Sequence, residues 1–178
     1  MAYSGDRTML GNQRESRISR FRGWILFVVP LLAILFQVYI PLFFSFLRNL
    51  EIPLLVTIYF ALMRRSPIGG LTSGACVGLA QDSLSKDPLG MFGICKTLVG
   101  YFAASIGLRI DVEHPLIRFL VCFLFFVFHQ FLFWVLSRAL LAQQVIFEGG
   151  QTLVLAFLNG VVGVALFHFL DSMKDPQR

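Results

Sequence analysis

Long apolar runs divided by short charged segments are the feature that most constrains what this chain can fold into. A helix needs about 20 apolar residues to cross the hydrocarbon core of a bilayer. The composition agrees, since 57% of the 178 residues are hydrophobic and 14% are charged, whereas a soluble domain carries roughly 25% charged residues. The sequence therefore predicts an all-α integral membrane protein, a bundle of six transmembrane helices. The predicted spans cover about residues 22–40, 52–63, 67–84, 89–108, 116–136 and 149–170.

The chain divides into three predicted parts. Residues 1–21 form a basic segment, which we expect in the cytoplasm; residues 22–172 form the six-helix domain, and residues 173–178 form a short cytoplasmic tail. The first apolar run ends without a small-x-small cleavage site, so we expect it to be a retained helix rather than a signal peptide.

The distribution of Lys and Arg predicts the orientation. With the N-terminus inside and six spans, eleven of the fifteen basic residues lie in cytoplasmic segments and three, Arg48, Lys86 and Arg138, lie in outer ones. This is the positive-inside pattern. Five spans would place Lys174 and Arg178 outside, which fits the pattern less well. The net charge of +5 therefore indicates membrane orientation and argues against a nucleic-acid partner.

The second span is short. It ends at the basic pair Arg64-Arg65, and the third span begins directly afterwards, so spans two and three form a tight hairpin. A span of this length either begins inside the preceding apolar loop or is shielded from lipid by neighbouring helices.

Small residues recur at helical spacing in the third and fourth spans. Gly70, Gly74, Gly78 and Asp82 follow one another at intervals of four and so share one helix face. Glycine is common in membrane helices, but three in register favour a packing seam, which lets another backbone approach closely. The seam could face a partner, although we favour a contact within the chain. Span four carries a matching face that consists of Gly93, Lys96, Gly100, Ala104 and Gly107.

Asp82 and Lys96 are the unusual charges, because an ionised side chain inside a span is costly unless it is paired or hydrated. If spans three and four pack through their small-residue faces, the two charges would reach similar depth, and we expect an ion pair between them. The alternative is that each side chain reaches interfacial water separately.

Other polar residues within the spans are few. His129 and His168 are expected to be packed and hydrogen-bonded rather than metal-binding, and Asn159, followed by Gly160, is expected to bond across to another helix. The three cysteines lie in apolar runs without metal-ligand spacing. The chain lacks the motifs H-E-x-x-H, G-x-S-x-G and the P-loop. We therefore expect no catalytic residue, metal or cofactor, and we expect spans one and five to present Phe-rich faces to lipid or a partner.

The stretch from Gly70 through Asp82 to Leu89-Gly90, with the pair Gly100-Tyr101 in span four and Asn159-Gly160 in span six, resembles the bacterial rod shape-determining protein MreD family. The short second span also fits, and the resemblance covers about residues 22–172. Two features depart from the family pattern: Lys96 stands where an apolar residue is expected, and the basic N-terminal segment is longer than the family needs. The lysine at position 96 weakens the argument for the ion pair more than the argument for the family.

The resemblance implies a six-helix fold similar to the substrate-binding subunits of energy-coupling-factor transporters. It implies a multi-pass protein of the bacterial cytoplasmic membrane and a scaffold role in the complex that builds the lateral cell wall. The implied partners are an MreC-like single-span protein, a RodA-type glycosyltransferase, its transpeptidase, MreB and membrane lipid.

Two other functions remain open at this point. A small-molecule, vitamin-like uptake subunit on the same fold would need a polar cavity and a capping outer loop, whereas the outer loops here are short. An intramembrane enzyme would need paired catalytic residues, which the sequence lacks.

Overall fold

The computed structural model describes residues 24–39, 43, 47, 49–85, 88–141 and 147–173. Within these ranges the chain is all-helical, as predicted. The helices are α1 (Ile25–Tyr39), α2 (Ile52–Arg64), α3 (Pro67–Leu84), α4 (Met91–Gly107), α5 (Pro115–Leu141) and α6 (Gly149–Asp171). The predicted basic segment, Lys86 and the tail from Lys174 onward lie outside the described residues, and so does Arg48.

Helix α2 lies at the centre of the bundle. All ten residues from Pro53 to Leu62 are buried, and α2 contacts each of the other five helices. Its 13 residues correspond to about 20 Å of helix, less than the roughly 30 Å of a hydrocarbon core. Of the two explanations for the short second span, the structure favours shielding by neighbours.

A tight turn at Arg65-Ser66 joins α2 to α3, in agreement with the predicted hairpin. Arg65 adopts a left-handed conformation, with φ 49°, and its amide bonds back to Ala61. The Ser66 hydroxyl caps the first turn of α3 by accepting a hydrogen bond from the Gly69 amide, and Pro67 occupies the first helical position, where the absence of an N–H costs nothing.

Helices α3 and α4 pack antiparallel at very close range. A Cβ atom on any of the three seam glycines of α3 would overlap a backbone carbonyl oxygen of α4. The facing pairs are Gly70 with Gly100, Gly74 with Lys96, and Gly78 with Phe92. The glycine row therefore faces this chain's own α4.

Helices α5 and α6 form the second antiparallel pair. They are long and apolar enough to cross a membrane, whereas α1, α2 and α4 are apolar but shorter. Gly160 lies under the ring of Phe119, and Gly163 lies against the thiol of Cys122. Both glycines therefore allow α6 to approach α5 closely.

The expectation of a Phe-rich outer face on span five is wrong. Phe125 and Phe126 of α5 are buried in the core, and the exposed apolar residues of this helix are three leucines, Leu116, Leu120 and Leu124, together with Phe131 and Leu140. Phenylalanine side chains of α5 instead pack between helices, as the Phe119 ring does against Gly160 of α6.

The bundle has two ends. The Asp82 end contains the start of α2, the end of α3 and the start of α4. The Asp171 end contains the end of α2, the starts of α3 and α5, and the ends of α4 and α6.

Substitution of Gly74 tests the seam. Gly74→Val should lower the free energy of unfolding by about 3 kcal/mol, the upper range for overpacking, because the new side chain must displace the α4 backbone at Lys96. Gly150→Ala is the control, since a Cβ there would meet no atom within 4 Å apart from its chain neighbours and its own helix backbone. Unfolding of the detergent-solubilised protein by heat or denaturant measures both variants. Equal stability of the two would contradict the close packing.

Candidate functional site

A buried polar network lies at the Asp82 end, and Asp82 is its first member. The side chain is 1% exposed, and its carboxylate accepts three backbone hydrogen bonds from the start of α4. The donors are the amides of Gly90 at 3.1 Å, Phe92 at 3.0 Å and Gly93 at 2.8 Å. The acid is therefore fully engaged within the protein.

This arrangement compensates for a missing helix cap. The residue that precedes α4 is Gly90, which adopts a left-handed conformation with φ 97° and has no side chain to cap the helix. The first amides of a helix have no partner within that helix, and in lipid such unpaired groups are costly. Asp82 supplies the acceptor from the preceding helix, and its negative charge interacts favourably with the helix dipole.

Lys96 of α4 is completely buried, at 0% exposure. Its ammonium donates a hydrogen bond to Gln81 Oε1 at 2.7 Å and lies 3.6 Å from Glu51 Oε2. It also lies 4.5 Å from the centroid of the Phe92 ring, a cation–π contact. Lys96 is therefore held by an amide, a carboxylate and an aromatic face.

The predicted Asp82–Lys96 ion pair is wrong. Gln81 and Asp82 are neighbours on α3 and lie at nearly the same depth, so depth does not separate them. Successive residues of a helix point about 100° apart. Lys96 bonds to Gln81 and lies near Glu51, whereas Asp82 accepts the first amides of α4.

The network continues to α6 through the segment before α2. The side-chain oxygen of Asn159 accepts a hydrogen bond from the Glu51 amide at 2.9 Å. Its NH₂ group donates to the Asn49 carbonyl at 3.0 Å and to Leu155 within α6. Asn159 thus bonds to the backbone ahead of α2, where a bond to another helix was expected.

Four elements therefore meet in this network: α3, α4, α6 and the segment that leads into α2. Of its members, sequence reasoning identified Asp82, Lys96 and Asn159 but missed Glu51 and Gln81. Glu51 lies just before the predicted second span, outside the apolar runs in which a charge is unusual, and Gln81 is uncharged. The position of Gln81 beside an intramembrane acid was the signal that could have identified it.

A second polar cluster lies at the Asp171 end, and sequence reasoning missed it entirely. The Asp171 carboxylate pairs with the Arg118 guanidinium at 2.6 Å and accepts a hydrogen bond from the Tyr59 hydroxyl at 2.9 Å. Arg118 Nε also donates to the Val112 carbonyl at 2.8 Å. An arginine three residues into an apolar helix was the available signal.

His129 is packed as expected but lacks the expected hydrogen bond. It is 1% exposed, its ring stacks on Phe92 with 6.1 Å between centroids, and neither ring nitrogen has a hydrogen-bond partner. Within the described ranges, no group of three or more His, Cys, Asp or Glu side chains could hold a metal ion.

Both clusters consist of groups that bond to one another within the chain. The Asp82 and Asp171 carboxylates are bound by amide, guanidinium or hydroxyl donors, and the ammonium of Lys96 is buried. These groups join helices to one another and compensate their own charges, which is the requirement for charge inside a membrane protein.

An all-helical bundle with a backbone-contact seam, paired buried charges and two helices long and apolar enough to cross a membrane is consistent with a helical membrane protein. The family model of the rod shape-determining protein MreD matches residues 17–173, nearly the whole chain. The chain belongs to this family and is a cell-shape-determining membrane protein, which confirms the resemblance inferred from the glycine row and its companion motifs. No curated protein and no solved structure matches it.

A charge swap tests the role of Asp82. Asp82→Asn should lower the free energy of unfolding by about 2 kcal/mol, because an NH₂ group replaces one of the two acceptor oxygens at the start of α4. The double variant Asp82→Lys with Lys96→Asp should be no more stable than Asp82→Lys alone, since a carboxylate at position 96 cannot cap α4. Asp111→Asn is the control. Asp111 lies 3.8 Å from Arg65, and its side chain is 64% exposed. This ion pair should therefore contribute at most about 1 kcal/mol to the free energy of unfolding. Recovery of stability in the double variant would instead support a direct ion pair between positions 82 and 96.

A double-mutant cycle tests the Lys96–Glu51 contact. Lys96→Met should cost about 3 kcal/mol, because it leaves a partly buried carboxylate without its cation. Adding Glu51→Gln should return about 1 kcal/mol or more of that loss. The exposed Arg65–Asp111 pair serves as the reference and should couple by less than about 1 kcal/mol. Strict additivity at Lys96 and Glu51, measured by denaturant unfolding in detergent, would show that the contact contributes nothing.

Proposed function

We propose that this protein is a non-enzymatic membrane scaffold of the bacterial cell-wall elongation complex. The observation that carries the proposal is the match of residues 17–173 to the rod shape-determining protein MreD family. Such a scaffold acts by holding partners together. Its partners would be an MreC-like single-span protein and, through the same complex, a RodA-type glycosyltransferase, its transpeptidase and MreB.

The distribution of polar groups supports a scaffold. The buried charges of both clusters contact other groups of the same chain, so they stabilise the bundle and are not available to a substrate. The surface left for partners consists of apolar helix sides, such as the exposed Leu153 and Val154 of α6, and of short loops. A protein built in this way meets other membrane proteins through helix contacts.

We further propose that the six helices cross the bacterial inner membrane with both termini in the cytoplasm. Four basic residues within the described part support this orientation because they lie at the same end of the bundle, the Asp171 end: Arg64, Arg65, Arg109 and Arg118. Arg138 lies near the far end of α5, toward the opposite side. This grouping agrees with the positive-inside rule. A fold like that of energy-coupling-factor substrate-binding subunits remains part of the proposal.

The uptake-subunit function has less support than the scaffold. The family match supports cell-shape determination, and the buried polar groups of both clusters bond within the protein.

Depletion in a rod-shaped bacterium that depends on this protein tests the proposal. Cells should lose their rod shape and become spherical, as measured by phase-contrast microscopy of cell length and width. Re-expression of the wild type or of Gly150→Ala should restore rods, whereas Gly74→Val should not. Immunoblots of the membrane fraction separate loss of protein from loss of function. Continued rod growth after depletion, or failure of an MreC-like protein to co-purify, would count against the scaffold.

A further inference from the structure

An apolar groove opens on the side of the bundle between α1, α2 and α3. Its volume is about 390 Å³, within the range of roughly 300–1,000 Å³ that is usual for small-ligand sites. Pro30 and Ile34 of α1, Phe60 of α2, and Val77 of α3 contribute to its walls.

The hydroxyl groups along the groove already donate within their own helices. Thr57 donates to the Pro53 carbonyl at 2.8 Å, Thr72 to Gly69 at 3.1 Å and Ser73 to Gly70 at 3.1 Å. The walls therefore offer a ligand mostly hydrocarbon contact. A chain of methylene groups suits such a surface better than a polar solute does.

The charge at one end of the groove is positive. Arg64 lines the groove where α2 ends, and no acidic side chain of the described residues pairs with it, whereas the adjacent Arg65 pairs with Asp111. The guanidinium carbon of Arg64 lies 3.8 Å from the place of a Cβ on Gly69, beside the first turn of α3. A helix N-terminus adds partial positive charge there, so the end of the groove favours an anion.

We propose that this groove binds one acidic phospholipid, with an acyl chain between α1, α2 and α3 and its phosphate group on Arg64. The combination of a hydrocarbon-lined channel and a free arginine at its mouth matches the two parts of such a lipid.

Native mass spectrometry of the purified full chain tests the proposal with two probes of the same acyl composition, phosphatidylglycerol and the net-neutral phosphatidylcholine. One phosphatidylglycerol should be retained in preference to phosphatidylcholine. Arg64→Gln should reduce this preference about fivefold, the factor that one basic side chain contributes at an acidic lipid surface. Arg109→Gln is the matched control, an exposed arginine at the same end of the bundle but outside the groove, and should leave the preference unchanged. Ala80→Phe, which adds a ring to the groove wall, should lower retention of both lipids.

Cys76 provides an independent readout. It is an exposed thiol that lines the groove, whereas Cys95 and Cys122 are buried, so maleimide labelling of the folded chain reports on the groove. In nanodiscs with phosphatidylglycerol, labelling should be several-fold slower than with phosphatidylcholine, and Arg64→Gln should remove the difference. Equal labelling in the two lipids would overturn the proposal, as would identical behaviour of Arg64→Gln and Arg109→Gln. Protection that follows protein concentration instead of lipid composition would also overturn it, because a second copy of the chain would then occupy the groove.

Discussion

The backbone contact between α3 and α4 is the constraint on which the rest of the structure depends. In lipid, helices gain little from hydrophobic burial against one another, so close van der Waals packing must hold them together. The seam glycines of α3 let that helix approach the carbonyl oxygens of α4 directly. This approach sets the helix register, and the register in turn decides which polar groups can meet.

The Asp82 network follows from that register. Once Gly78 lies against Phe92, the Asp82 carboxylate is level with the first amides of α4, and Gly90 leaves that helix without a cap of its own. One acid therefore satisfies three donors and joins the two helices at their shared turn. Lys96 bonds to Gln81 and lies near Glu51. Glu51 in turn connects the network to α2 and, through Asn159, to α6.

The two polar clusters together position α6 beside the central helix. At one point Asn159 bonds to the backbone that leads into α2, and at another Asp171 accepts the hydroxyl of Tyr59 from within α2. Each hydrogen bond between membrane helices contributes only about 1 kcal/mol, so their effect lies in geometry. They fix the depth and the rotation of α6 relative to α2, because the other contacts of α6 are made by apolar side chains that do not specify a single position.

The sequence by itself determined the helical class, the spans of apolar chain, the glycine seam and the family. These follow from patterns along one helix, such as the interval of four between Gly70, Gly74 and Gly78, which need no knowledge of the neighbours. Tertiary structure alone decided which charges meet. Asp82 and Lys96 looked like partners because both lie on small-residue faces, but the Asp82 carboxylate accepts the first amides of α4, and Lys96 bonds to Gln81 and lies beside Glu51. Arg118, Tyr59 and Asp171 come from three separate helices, and their meeting point depends on how the whole bundle packs.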